Sequence, residues 1–319
     1  MLTKLFPSKR PKQKAIEKLQ ACPWRKVRLP PPVLSMPTML IQRELQMLHW
    51  LARHHFTGQG RIVDAGCFLG GSTAALASGL AARDDGPWEN KIASYDLFRV
   101  EPYTLAEFGD RFTNPTDGAS FRPDFEANIE PWSRHVEVCE GDATAIGWSG
   151  EPIEILFLDL IKTWRLNDFV LDQFLPCLIP GHTVIIQQDY IWGYGPWIHI
   201  TMELLAPHVE ILDSMLGSVA YLLTSPVPKE LIGAKIRETL TPVEQLRLMD
   251  RAVNRWSGQH RGLVELARVM LLSEMCSPTV TREEFDSVVG RYQKPRDYLF
   301  KSCAERVAGY IAGEPWWLH

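Results

Sequence analysis

Arg61-Ile62-Val63-Asp64-Ala65-Gly66-Cys67-Phe68-Leu69-Gly70-Gly71-Ser72-Thr73 is the stretch on which the fold turns. Ile62 and Val63 end a short apolar run that reads as a buried strand, and Asp64 closes it. Gly66 to Gly71 is a glycine-rich turn. Ser72 and Thr73 open an alanine-rich segment, Ala74 to Ala82, that reads as helix. A strand, a glycine turn and a helix N-terminus together make a place for a small polar ligand. Glycine lets the backbone come close, and the first helical turn leaves N–H groups unpaired. The spacing is D-x-G-x-x-x-G-G-S. It departs from the dinucleotide fingerprint G-x-G-x-x-G, because Phe68 stands where that pattern has its second glycine. Ordinary strand-turn-helix junctions share this outline, so the rest of the chain decides.

Downstream, short apolar runs end repeatedly in acids. Lys91 to Phe98 predicts a second strand closing on Asp96, where a nucleotide-binding βαβ unit places an acid against ribose hydroxyls. His135 to Cys139 predicts a third strand, followed by Gly141-Asp142-Ala143. Ile153 to Leu158 is almost wholly apolar, as expected of a strand covered on both faces of a parallel sheet. It ends at Asp159, with Lys162 just past it. A helix from Asn167 to about Leu178 and a Pro180-Gly181 turn lead into a fifth strand, Thr183 to Ile186, and then Gln187-Gln188-Asp189-Tyr190. Asp159 and Asp189 are thus expected at the carboxyl ends of neighbouring strands, the edge where doubly wound sheets bind ligands. Pro196 to Leu205 reads as a helix carrying His199. His208 to Leu212 and Ser218 to Leu223 read as two strands joined at Leu216-Gly217, an antiparallel hairpin.

Around this core lie three other segments. Residues 1–37 form a basic, proline-rich arm with little core of its own: nine Lys or Arg fall in the first 28 residues against one acid, Glu17. Such an arm reads as a solvated tail or as a contact for phosphate or an anionic surface. Thr38 to Phe56 reads as an amphipathic helix with Ile41, Leu45, Leu48 and Leu51 on one face. Residues 97–134 are longer than a plain connection needs and rich in Phe, which predicts a lid or substrate-binding insertion. Residues 226–319 read as a helical extension. Thr241-Pro242-Val243-Glu244 is a capping box, Leu263 to Met275 a very apolar helix, Thr281 the cap of a third, and Pro295 to Ile311 a fourth. This extension is expected to pack on the sheet domain or on a second copy in a homo-oligomer.

Composition bounds the function classes. The 319 residues are 45% hydrophobic and 23% charged, enough for a real core in one large or two modest domains. A net charge of −4 gives no global signal for nucleic acid. Six scattered cysteines without a C-x-x-C pair read as free thiols in a reducing compartment such as the cytoplasm, with no structural zinc site. No apolar run reaches bilayer-spanning length.

With the core read, residues 38–225 resemble the class I S-adenosylmethionine-dependent methyltransferases. The glycine loop, Asp96, Gly141-Asp142-Ala143 and the terminal hairpin carry the likeness. It implies an α/β fold: a doubly wound, mostly parallel seven-stranded sheet ending in an antiparallel hairpin. It implies S-adenosylmethionine as cofactor, with Asp64, Gly66, Phe68, Gly70 and Ser72 under its methionine part and Asp96 on the ribose. Asp142 would meet the adenine amino group, and the Ala143 N–H a ring nitrogen. More closely, the chain resembles the macrocin O-methyltransferase-like group, which methylates sugar hydroxyls of natural products with help from a divalent metal. That group carries an Asp ending strand four and an acidic pair ending strand five, just before a Tyr. Asp159 and Asp189-Tyr190 are kept here; Gln188 replaces one carboxylate, and Ile161 stands where a second acid is expected. The implied Mg²⁺ set is therefore Asp159, Gln188 and Asp189, with an amide oxygen that brings less charge than a carboxylate. No general base is carried over to position 161.

Methyl transfer to a hydroxyl needs an aligned nucleophile and a group to take its proton. The candidate catalytic groups are Asp159, Lys162, Asp189 and His199. Lys162 reads either as orienting a hydroxyl or as pairing with Asp159. His199, among Ile198, Ile200 and Leu204, reads also as a buried structural histidine. Trp164, Trp192 and Trp197 suit either the core or a sugar face. The expected activity is O-methylation of a small molecule such as a sugar. The alternative is a cofactor-binding protein without catalysis, acting as an interaction or assembly module. A nicotinamide-dependent oxidoreductase fails on the glycine spacing and on the hairpin.

Overall fold

The computed structural model describes residues 11–292, 294 and 297–314. Lys4, Lys9 and Arg10 of the basic arm, and Pro295, the expected start of the fourth C-terminal helix, lie outside them. Seven strands form one sheet: β1 (Arg61–Ala65), β2 (Ile92–Asp96), β3 (Val136–Glu140), β4 (Ile153–Leu158), β5 (Val184–Gln187), β6 (Val209–Ser214) and β7 (Val219–Leu223). Their order is β3-β2-β1-β4-β5-β7-β6, and β7 runs antiparallel to both its neighbours. The expected doubly wound sheet with a terminal hairpin is therefore present. Its strand order is that of the class I methyltransferase fold.

Strand alternation divides the core in two. Ile62, Ile155, Phe157, Val184 and Ile186 face α2 (Gln42–His54) and α3 (Gly71–Ala81). Val63, Leu156, Leu158 and Ile185 face the other side. There they meet α6 (Trp164–Phe169), α7 (Pro196–Leu205) and the C-terminal helices α8 (Pro242–Asn254), α9 (Gly258–Ser273), α10 (Pro278–Tyr292) and α11 (Tyr298–Ile311). Helix α3 is buried nearly all round, so it is built from small residues. At Gly79 a Cβ would come within 2.4 Å of the His49 carbonyl oxygen, so α2 and α3 approach this closely only over glycine.

Several expectations are corrected. The arm is not merely solvated where it is described. Its α1 (Pro11–Gln20) and the following turns bury Leu19, Trp24 and Val33, and Trp24 is 0% exposed. The Trp24 indole N–H donates to Asp213 at 2.9 Å, and Arg25 and Arg43 also bind that carboxylate, which clamps the arm to edge strand β6. Helix α2 begins at Gln42 rather than Thr38, because residues 38–41 instead turn across the glycine loop. The segment after Thr163 is α-helical only to Phe169. It continues through a π turn to Phe174 and a short 3₁₀ turn, where Pro176 removes a backbone donor. Thr281 lies inside α10 rather than capping it, and its hydroxyl donates to the Ser277 carbonyl.

The 97–134 insertion forms α4 (Pro102–Phe108) and α5 (Arg122–Ile129). Its phenylalanines pack into a cluster, with Phe108, Phe112 and Phe121 edge-on around Phe68 of the glycine loop. In the C-terminal region the capping box at Thr241 is present, and Glu203 of α7, almost fully buried, ties to Arg251 of α8 and to Arg255 just past its end. The extension thus shares one core with the sheet. No helix among the described residues is long and apolar enough to cross a membrane.

Replacing Trp24 with Ala empties a fully buried site and removes an Asp213 partner. It is expected to cost about 3–5 kcal/mol, read as a shift of the denaturation midpoint in urea. A loss under 1 kcal/mol would mean that the arm is not part of the folded core.

Candidate active site

The parallel register sets the site. The Asp159 N–H donates to the Ala65 carbonyl at 2.7 Å and the Gln188 N–H to the Leu158 carbonyl at 3.0 Å. The residues following β1, β4 and β5 therefore emerge at one level. Between them and the helical cover lies a cleft of about 430 Å³. Its floor is Asp159, Lys162 and Asp189. The Lys162 ammonium donates to Asp159 Oδ1 at 2.8 Å and also to Asp189 Oδ2. Asp189 holds a left-handed backbone at φ 61°, a conformation that Asp tolerates and that turns its carboxylate back toward β4. Three of the four expected catalytic groups are thus in contact.

Burial pushes the Asp159 carboxyl up to about 7; the Asp189 charge adds to this and Lys162 opposes it. Burial works against the Lys162 charge too, but Asp159 and Asp189 override it and hold the ammonium well above its usual pKa. The Lys162 side chain keeps 42% of its surface in solvent, so the cluster is a wet floor and water tempers these fields.

His199 is corrected. It is fully buried in α7 and absent from the cleft wall. Its Nε2 lies 2.8 Å from the Tyr190 carbonyl and its Nδ1 3.2 Å from that of Gly195. Burial lowers its pKa to about 4, so the ring is neutral. Through these two contacts the side chain pins the turn after β5. Gln188 lines the cleft, and its side-chain amide contacts the Ser218 hydroxyl. Among the described residues no group of three His, Cys, Asp or Glu side chains is placed to hold a metal. Of the Mg²⁺ set that the resemblance implies, Asp159 and Asp189 both meet the Lys162 ammonium, which stands between them.

The glycine loop lies beside this floor, with Met39 and Asp159 lining both spaces. Gly66 and Gly70 have φ near +95°, and Phe68 is held at φ 46°, so the position that a dinucleotide motif gives to glycine is left-handed here as well. Asp64 is fully buried. Its carboxylate accepts from the Ser72 and Thr73 hydroxyls, which staples α3 to β1, while Oδ1 has no partner within the protein. Burial raises its pKa to about 6. Asp96 accepts from the Phe68 N–H at 2.8 Å and the Phe98 N–H at 3.0 Å, so it also braces the loop. Asp142 caps the turn at Ala143, accepting from the Thr144 N–H, and pairs with Arg165. The Thr144 hydroxyl and then Arg165 hold its carboxyl below the usual range. Thr38 to Leu40 close over Gly71 and leave a cavity of only about 20 Å³ at the loop.

Other cleft residues escape sequence reading. Glu44 of α2 is 2% exposed and accepts from the Ser218 hydroxyl and the Ile41 N–H. It stands three residues after Ile41 on the apolar face, and a carboxylate on that stripe was the available signal. Helix α11 brings Ser302 and Arg306, and α9 brings Met270. Arg306 donates to the Tyr103 hydroxyl of α4 at 3.0 Å and stacks on its ring, so two distant segments meet above the cleft. No local spacing marks Arg306. Trp192 and Trp197 line the cleft, whereas Trp164 packs behind Trp197 in the core.

No protein-family model matches this chain, and no curated protein matches it. Solved structures resemble it distantly. One is the apo structure of CalS11, described as a TDP-rhamnose 3'-O-methyltransferase, an enzyme in calicheamicin biosynthesis. It is 17% identical over 70% of this chain and 99% of that chain, at a TM-score of 0.42. Cofactor-bound Rv0187 from MTB is 15% identical over 69% and 92%, at 0.39. The O-methyltransferase from Bacillus cereus in complex with SAH is 18% identical over 68% and 91%, at 0.38. At such distance they bring neither activity nor substrate to this chain.

The electrostatics of the floor can be measured. With Asp159 raised, its contribution to stability is fully present below the ordinary Asp pKa of about 4 and is lost as pH rises through about 7. Side-chain carboxyl ¹³C shifts should show Asp159 titrating near 7, moving down in Asp189→Asn and up in Lys162→Met. Unchanged titration in both variants would mean that the three groups are not coupled.

Proposed function

We propose that this chain is an S-adenosylmethionine-dependent O-methyltransferase whose acceptor, a small hydroxylated molecule such as a sugar, occupies the cleft above Asp159. The observation that carries the reading is the Asp159-Lys162-Asp189 cluster on the floor of a ligand-sized cleft, directly beside a strand-loop-helix cradle on this strand order.

The residues at the loop fit the cofactor in kind. Asp64 offers a buried oxygen with no protein partner, suited to an ammonium or to a water that bridges to one. Asp96, at the carboxyl end of β2, keeps lone pairs beyond its two backbone contacts for ribose hydroxyls. Asp142 and Ala143 stand at the end of β3, where adenine is expected. Entry requires the Thr38–Leu40 segment to lift, since the cavity beneath it is too small for a methionine moiety. When bound, S-adenosylmethionine supplies a methyl group on a positively charged sulfur. The chain's part is positioning and proton transfer. An acceptor hydroxyl over the floor meets Lys162, which holds its oxygen, and a carboxylate of the Asp159–Asp189 pair, which takes its proton. With the cofactor bound, transfer to that oxygen would release the neutral sulfide. The base works deprotonated, so transfer is expected to rise as pH passes through about 7. Trp192, Trp197 and Tyr103 offer flat apolar faces to the acceptor, and the acidic wall with Glu44 suits hydroxyls as hydrogen-bond donors.

Calorimetric titration of the chain with S-adenosylmethionine and S-adenosylhomocysteine should show binding to both. Asp96→Ala should weaken it at least about tenfold, the value of a charged hydrogen bond. If neither ligand binds, the enzyme reading falls and the interaction-module alternative takes its place. Hydrogen exchange gives a second measure: amides of Met36 and residues 38–41 should slow when S-adenosylhomocysteine is bound. No change there would mean that this segment does not cover the cofactor.

A further inference from the structure

Lys162 lies between the two carboxylates of the Mg²⁺ set that the sequence resemblance implies: its Nζ is 2.8 Å from Asp159 Oδ1 and bonds Asp189 Oδ2. The third expected ligand, Gln188, also lines the cleft, with its side-chain amide against the Ser218 hydroxyl. The lysine is not a wandering surface side chain. The preceding residue, Ile161, is buried, its carbonyl accepts from the Trp197 indole N–H at 2.8 Å, and the Lys162 N–H donates to Leu160 at 2.8 Å. Ile161 is the position where a second acid was expected. Here it is an apolar anchor that fixes the backbone from which Lys162 reaches the carboxylates.

We propose that Lys162 is a tethered cation that replaces a divalent metal between Asp159 and Asp189, and that the cluster operates without one. The proposal rests on reading the cleft as a methyl-transfer site. An ammonium has three N–H donors. Two are committed to Asp159 and Asp189, and the third is available on the cleft side, where Lys162 forms part of the wall. A bound Mg²⁺ would keep several water positions, more than one of which acceptor oxygens could fill. One N–H holds one. The acceptor class is therefore a molecule that presents a single hydroxyl to the cluster, with no vicinal pair required. During transfer Lys162 keeps its proton and charge, while the hydroxyl proton passes to a carboxylate.

Mn²⁺ titration of the full chain, followed by electron paramagnetic resonance, tests this without any acceptor. The wild-type protein should show no Mn²⁺ binding that depends on Asp159 or Asp189. Lys162→Ala frees both carboxylates and should gain Mn²⁺ binding at least about tenfold tighter than wild type, a difference of about 1.4 kcal/mol. Lys162→Ala/Asp189→Asn should lose that gain. Wild-type Mn²⁺ binding that Asp159→Asn weakens tenfold or more would overturn the proposal, and this arm holds even if the lysine variant does not fold. A folded Lys162→Ala protein with no gain would overturn it too. S-adenosylhomocysteine titrated in parallel separates the two readings. Its failure to bind removes the transfer function, while the Mn²⁺ result still decides what holds the carboxylates together.

Discussion

Three parallel strands in fixed register are the constraint on which the rest depends. β1, β4 and β5 pair so that Ala65 stands level with Leu158, and Leu158 with Gln187. The glycine loop and both floor carboxylates follow one or two residues later. The glycine loop leaves β1, Asp159 leaves β4, and Gln188 and Asp189 leave β5. A slip of one residue in β4 would turn Leu156 and Leu158 to the opposite face and carry Asp159 away from its neighbours. The apolar side chains on both faces of β4 make that slip costly. Core packing thus sets the spacing of the carboxylates.

Within that frame, charge is arranged economically. Asp64 and Asp96 sit where a ligand is expected, yet both already hold the loop in shape through Ser72, Thr73, Phe68 and Phe98. Their structural work and their proposed ligand contacts use different oxygens or different lone pairs of one carboxylate. The floor follows the same rule. Two carboxylates brought together at strand ends repel, and a nearby cation is needed to hold them. Lys162 supplies it from within the chain.

The sheet was legible in the sequence because its signals are local. Apolar runs ending in acids mark β1, β2, β4 and β5, and a short loop between two runs marks the hairpin. What escaped was nonlocal. Trp24 lies in a stretch whose Lys, Arg and Pro content reads as solvated, and its partner Asp213 is 189 residues away. Average composition cannot reveal one large side chain with a distant pocket. His199 has the chemistry of a catalyst, but its burial and carbonyl partners are set by α7, which periodicity alone does not place. Residues 38–41 carry helical spacing yet are drawn out over the glycine loop, where tertiary contact overrides propensity. The floor residues Asp159, Lys162 and Asp189 were visible as types at strand ends, whereas their mutual contact was not.

The meeting of Arg306 with Tyr103 bears on how this molecule comes to be built. These residues are 203 positions apart, and each belongs to a helix outside the seven strands. The strands and the glycine loop draw on residues 61–223, whereas Ser302 and Arg306 reach the cleft wall only through α11. The wall of the cleft is therefore made by the docking of the last described helix, and the floor is not.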